Sequence, residues 1–204
     1  MEIFTIGTSN YDVERLMHML RMHNINCVVD IRATPYSKYN KQFDKENIKY
    51  TLTKNKFIYI YMGKELAAKR ETRESYNSKG YCDFEKVINE ESFKSGIERL
   101  KIGCEKGYRI ALLGAMQEPI RCQRGILVGR ALRDLGFNMK HIVHDYSLKD
   151  QNFIEECLLE KYFNNRMQLT LDSLLGNEKS VEDLIKEGYR LANKEIGYRV
   201  ENLK

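Results

Sequence analysis

The amino-acid sequence predicts an α/β domain: a mostly parallel sheet flanked by helices on both faces, with a C-terminal helical extension. Three observations carry this. Short apolar runs alternate along the chain with longer segments of helical period. The run "NCVVDIR" has the unbroken apolar middle of a strand buried on both faces. Polar and charged residues gather just after each apolar run, at the end of the strands where such sheets bind ligands.

Taken in order, "EIFTIG" reads as a strand entering a glycine turn at Gly7. "SNYDVERLMHMLRMHNI" reads as a helix, because Leu16 and Leu20 lie one turn apart and Met19 and His23 repeat the spacing. Ser9, Asn10 or Asp12 can cap its start. "NCVVDIR" is the second strand, "ATPYSKYNKQF" a loop, "DKENIKYTLTKN" a short helix and "FIYIYMG" the third strand. "DFEKVINEESFKSGIERLKIGCEKG" holds one or two helices, and "YRIALLGA" is the fourth strand. "CQRGILVGRALRDLG" is a helix with Gly136 as its stop signal, and "NMKHIVH" the fifth strand. "DQNFIEECLLEKYFNN" and "SVEDLIKEGYRLANKEIGY" are the C-terminal helices. The length, 204 residues, suits a single domain with a core over about 1–148 and a helical extension over about 149–204.

Net charge is +5 but uneven. Residues 36–70 carry nine lysines and arginines against three acidic residues, a net of +6, whereas residues 150–204 are net −3. A basic first half points to an acidic partner there. The N-terminus lacks the basic and apolar regions of a signal peptide, and no apolar run approaches the roughly 20 residues of a membrane span. Membrane partners are therefore not expected. The five cysteines are odd in number, scattered and free of CxxC, which argues against a disulfide scaffold or zinc ribbon and for a reducing cytoplasm.

The residues after the strands are the candidates for chemistry. Gly7 allows a ligand close to the backbone, and the amides after it, with Ser9 and Asn10, favour an anion. Asp30 and Arg32 share one face of the second strand and can pair, leaving Arg32 to reach an anionic ligand. Glu65, Lys69 and Arg70 have spacings that fit one side of a helix. In "EPIRCQRG", Arg121 and Arg124 open a helix beside Glu118 and suit phosphate or carboxylate. Cys122 between them has no adjacent base and reads more readily as a small buried residue than as a nucleophile. His141 and His144, three apart on a strand, face opposite sides, so neither a shared metal ion nor a cofactor is expected. In 36–70, Lys38, Tyr39, Lys41 and Lys45 interleave lysine with tyrosine, a pattern suited to nucleic acid.

The pieces "TIGTSN", "VVDIRATPYSKYNKQF", "YIYMGKELAAKR", "FKSGIERL", "ALLGAMQEPIRCQRGILVGRAL" and "KHIVHDYSL", with the tail "LLEKYF" and "GYRLANKEIGYR", resemble the bacterial and archaeal family called domain of unknown function 488. The resemblance covers nearly the whole chain. It implies a cytoplasmic α/β domain, names no reaction, and marks Gly7, Ser9, Asn10, Asp30, Arg32, Pro35, Ser37, Gly63, Glu65, Cys122 and Arg124. Many members read Cys-Ala-Glu where this chain has Gly114, Ala115 and Met116, and Cys-His-Arg where it has Cys122, Gln123 and Arg124. A thiol or metal chemistry resting on those groups is then lost here. "VVDIR" is also similar to the opening of rhodanese-like sulfurtransferases, whose reactive cysteine would stand at Gly114, so sulfur transfer is disfavoured.

Two expectations follow. The first is a pocket at the carboxyl ends of the strands for a small anion, a nucleotide or phosphate ester. Asp30, Glu65 and Cys122 would be the reactive candidates, with Gly7, Ser9, Asn10, Arg32, Ser37, Lys69, Arg70, Arg121 and Arg124 binding. The alternative is a nucleic-acid-binding module using segment 36–70.

Overall fold

The computed structural model describes residues 1–8, 11–163 and 179–200. Six strands form one sheet in the order β3-β2-β4-β1-β5-β6. They are β1 (Glu2–Gly7), β2 (Cys27–Asp30), β3 (Ile58–Tyr61), β4 (Ile110–Gly114), β5 (Asn138–Ile142) and β6 (Leu148–Lys149). The first five are mutually parallel, and only β6 runs antiparallel, against β5. The helices are α1 (Val13–Met22), α2 (Lys45–Lys54), α3 (Gly63–Leu66), α4 (Phe84–Val87), α5 (Glu91–Glu105), α6 (Arg130–Asp134), α7 (Gln151–Phe163) and α8 (Val181–Ile196). None of the described helices is long and apolar enough to cross a membrane.

Strand alternation sorts the core into two layers. Phe4, Ile6, Val28, Ala111, Leu113 and Ile142 face α1 and α2, meeting Leu16, Leu20, Ile48 and Leu52. Ile3, Val29, Ile31, Leu112 and Met139 face the other way and meet Phe93, Ile97 and Leu100 of α5, with Ile154, Leu158, Tyr189 and Ala192 of α7 and α8. The C-terminal helices thus cover the second face of the sheet.

Helix α1 starts where Asp12 accepts a hydrogen bond from Arg15 N at 2.7 Å. Gly136 takes φ +82° just beyond α6, which only glycine adopts without cost.

Two elements differ from the sequence expectation. The helix predicted from Cys122 is instead a 3₁₀ turn (Pro119–Arg121), an extended Cys122, and a π-helical segment (Arg124–Gly129) running into α6. A π turn is wider than an α turn and leaves carbonyls free for side chains. Gly125 and Gly129 make room for it: a Cβ at Gly125 would lie 2.5 Å from the Pro119 carbonyl, and one at Gly129 would lie 2.7 Å from Gln151 Oε1. The second difference concerns Lys69 and Arg70. Helix α3 ends at Leu66 with Ala67 extended, so neither continues the helical side that carries Glu65. Arg70 instead turns back and donates to the carbonyls of Lys64 and Glu65 at 3.0 and 2.8 Å, where a cation suits the helix C-terminus.

Connections from β1 and β2 lead to α1 and α2 on one face, and those from β3 and β4 lead to α5 and the π segment on the other. Neighbouring β1 and β4 therefore part company at their carboxyl ends, the topology that opens a ligand crevice in such sheets.

Candidate functional site

At this crevice Gly7 stands opposite Gly114 in register, and Thr8 N donates to Gly114 O at 3.0 Å. Loop 115–118 folds directly over Gly7, so that a Cβ there would lie 1.9 Å from Met116 O. Arg124 holds the loop down. Its guanidinium donates to Met116 O, to Gln117 O at 2.6 Å, and through Nε to Thr5 Oγ1 at 3.2 Å. The side chain is fully buried, and no carboxylate among the described residues pairs with it. Burial lowers its pKa from the ordinary arginine value, while the neighbouring Cys122 and Tyr11 side chains pull the other way. Buried charge without a counterion is costly, and here it rests on carbonyl and hydroxyl oxygens and the Cys122 side chain. Arg121 is exposed, so the two arginines of "EPIRCQRG" face different surroundings.

Cys122 is 2% exposed, free, and its thiol donates to Gln123 Oε1 at 3.1 Å. Gln123 Nε2 in turn donates to Ile31 O at 3.1 Å and ties this turn to the end of β2. A Cβ at Gly114 would lie 2.8 Å from Cys122 Sγ. A cysteine at 114 would thus face Cys122, and this chain has one thiol where two would meet. Ellman's reagent should label the half-buried Cys104 and Cys157 of the native protein first, and Cys122 only on unfolding. Rapid selective labelling at Cys122, located by peptide mapping, would restore it as a nucleophile.

A second cation converges on the same place. The Arg15 guanidinium stacks over the rings of Tyr11 and Tyr146, 4.7 and 5.3 Å from their centroids, and donates to His144 O at 2.5 Å. Its Nε is buried without a partner, and it too makes no ion pair with a described residue. Burial raises the Tyr11 pKa, opposed by a hydrogen bond from the Gln117 side chain and by the charges of Arg15 and Arg124. Tyr11 therefore carries Arg15 on its ring and feels the charge of the buried Arg124 at the carboxyl end of β1. Neither Tyr11 nor Arg15 stood out in the sequence, although their four-residue spacing is that of neighbours on a helix start. Ser9 and Asn10 lie outside the described residues.

Asp30 and Arg32 form a closed pair. Arg32 Nη2 and Nε donate to Asp30 Oδ2 and Oδ1 at 2.6 and 2.9 Å, and Nη1 donates to Phe43 O at 2.8 Å. Both residues are buried. Tyr59 adds a hydrogen bond to Asp30 at 2.8 Å, and burial with the Asp30 charge raises its pKa well above the tyrosine range. Glu65 is salt-bridged to Arg99 on α5, and Arg70 is held by Glu90 at 2.5 Å. Lys69 is exposed, its ammonium over the Tyr198 ring. The structure thus commits Arg32, Glu65 and Arg70 to protein partners.

Behind the crevice runs a continuous buried chain of hydrogen bonds. Thr5 Oγ1 lies 2.8 Å from His141 Nδ1, and His141 Nε2 lies 2.9 Å from Gln151 Oε1. Gln151 Nε2 donates to Gly125 O at 2.9 Å and to Tyr189 OH at 2.8 Å. Tyr189 OH donates to Glu155 Oε1 at 3.2 Å, and Glu155 meets Arg133 at 2.5 Å. The directions are forced. The amide oxygen only accepts, so the proton of neutral His141 is on Nε2. Nδ1 then accepts from Thr5, whose oxygen accepts from Arg124. Every link points from the Arg124 cation towards the Glu155 carboxylate.

The loop predicted for nucleic acid is an exposed surface. Tyr39 is 98% exposed, Tyr50 68% and Tyr36 56%. Ser37 Oγ accepts from the amides of Tyr39 and Asn40 at 3.2 and 3.1 Å, and its own amide donates to Asp44 Oδ1 at 2.8 Å. Lys38 and Lys41 are exposed, while the Lys45 ammonium sits 3.8 Å over the Tyr61 ring.

Comparison with known proteins gives one match. The family model described as "Domain of unknown function DUF488" matches residues 12–131. No curated protein and no solved structure matches the chain. The matched stretch includes Arg15, Cys122 and Arg124 and leaves out Thr5, His141, Gln151 and Tyr189.

Proposed function

The chain belongs to the DUF488 family, and on that premise we propose that it binds a small phosphate-bearing anion at the carboxyl ends of β1, β4 and β5. One observation carries this reading. Arg15 lies over the Tyr11 ring at the crevice, the Arg124 charge acts on the same tyrosine, and neither arginine has a carboxylate partner among the described residues. Both charges act on Tyr11 with no carboxylate to balance them, and a bound anion would supply that balance. Arg15 makes the contact, oriented by the Tyr11 and Tyr146 rings. Arg124 contributes its charge from behind loop 115–118. Arginine suits a phosphate because its planar donors match two oxygens at once.

The test is calorimetric titration with inorganic phosphate and nucleoside monophosphates, for wild type and Arg15→Gln. Binding should weaken about tenfold or more in the variant, the loss of one charge-assisted contact. Absence of binding by the wild type, or equal binding by both proteins, would remove the reading.

A further inference from the structure

Resting on that reading, we propose that the anion is the terminal phosphate of a single-stranded nucleic acid, whose adjoining nucleotides lie over the lysine- and tyrosine-bearing loop 36–41 and helix α2. Three observations lead there.

The loop and the anion site are physically joined at Tyr11. Gln42 Oε1 accepts from Val13 N at 3.1 Å, and Gln42 Nε2 donates to Tyr11 O at 3.3 Å. Asn40 Nδ2 donates to the same carbonyl at 3.5 Å. A strand leaving the Arg15 site on this side meets Tyr39 and Lys41 next.

The lysines there are unbalanced. Lys38, Lys41, Lys45, Lys49, Lys54 and Lys56 make no ion pair with any described residue. The acidic residues among them are engaged locally, Asp44 by the Ser37 amide and Glu46 by the Tyr36 hydroxyl at 3.0 Å. The Tyr36–Glu46 bond also fixes one ring in place, while the nearly bare Tyr39 ring is free to stack. Exposed rings beside point charges suit unpaired bases and a phosphate backbone, with little base discrimination.

Charge matching selects a chain end. An internal phosphodiester carries one negative charge, whereas a phosphomonoester carries about −1.5 to −2 near pH 7. Arg15 and Arg124 together present two positive charges, which a terminal phosphate balances and a diester does not.

The experiment is fluorescence anisotropy with one labelled single strand bearing a 5′-phosphate, a 3′-phosphate or only hydroxyl ends, beside the duplex. It compares wild type, Arg15→Gln and a Lys38→Glu, Lys41→Glu double variant, each checked for native circular dichroism. One terminally phosphorylated form should bind about tenfold or more tighter than the hydroxyl form, and Arg15→Gln should abolish that difference. The double lysine variant should weaken all forms and flatten the salt dependence by about 1 to 2 in logarithmic slope. Equal binding of phosphorylated and hydroxyl strands, or tighter binding of the duplex, would overturn the proposal. If phosphate and mononucleotides bind but no strand binds tighter than a mononucleotide, this inference fails and the anion site stands. If neither mononucleotides nor strands bind, both fail.

Discussion

Replacing Gln151 by leucine is expected to lower the free energy of unfolding by about 3 kcal/mol or more, because one amide bonds three buried groups and leucine removes all three bonds. Its oxygen accepts from His141, and its nitrogen donates to the Gly125 carbonyl and the Tyr189 hydroxyl. All of these groups lie inside the layer between the sheet and the C-terminal helices. Each buried polar group stripped of its partner costs roughly 1–3 kcal/mol, and the three share one network, so the sum is not simply additive. The bond to the Gly125 carbonyl ties Gln151 of α7 to the π segment and so matters most to the local fold. Tyr189→Phe removes the hydroxyl's bonds to Gln151 and Glu155 but leaves those of Gln151 to His141 and Gly125 in place, and should cost less, about 1–2 kcal/mol. Urea unfolding at neutral pH measures both. A loss below about 1 kcal/mol for Gln151→Leu would mean that water reaches the site and that the chain of hydrogen bonds does not hold these helices to the sheet.

The contrast between legible and illegible parts of the molecule has a physical source. Strands β1, β2 and β4 could be read because buried parallel strands need nearly continuous apolar runs, and "IFTI", broken only by Thr5, "CVV" and "IALL" supply them. The exposure of the lysine and tyrosine loop could also be read, since no periodic apolar positions draw that segment inward. Strand β6 has two residues and leaves no pattern. The role of Arg124 could not be read either. Its partners Thr5, Met116 and Gln117 include a residue 119 positions away, and a sequence shows a charge without showing that it is enclosed. The π segment is held by Gln151, which reaches Gly125 from 26 positions away and leaves no local signal. His141 was within reach of sequence reasoning: it lies two residues from Met139 and so shares the strand face that meets the C-terminal helices. Asking only whether a histidine could bind metal passes over that placement.

The same histidine makes stability depend on pH. Burial, reinforced by the Arg124 charge, lowers the His141 pKa to about 4, and the Gln151 hydrogen bond and Asp150 only partly oppose this. An unfolded histidine titrates near 6.5. Between these values the unfolded chain takes up a proton that the folded protein refuses. The stability contributed by neutral His141 is therefore complete above about pH 6.5 and is lost progressively as pH falls towards about 4. Linkage gives a loss of about 2 kcal/mol by pH 5 relative to pH 7.5, and roughly 3 kcal/mol in full. The chemistry agrees with the sign. A proton on Nδ1 would face Thr5 Oγ1, which already accepts from Arg124, and would add a second positive charge beside an unpaired guanidinium. Urea unfolding at pH 7.5, 6.5, 5.5 and 5.0 tests this. The range stops above the values at which carboxylates such as Glu90, held low by Arg70 and Ser75, begin to contribute. A His141→Gln variant is less stable at pH 7.5, yet its curve should be nearly flat over the same range. A flat wild-type curve, or a variant that falls as steeply as the wild type, would show that His141 takes up its proton without unfolding and that its buried links are open to water.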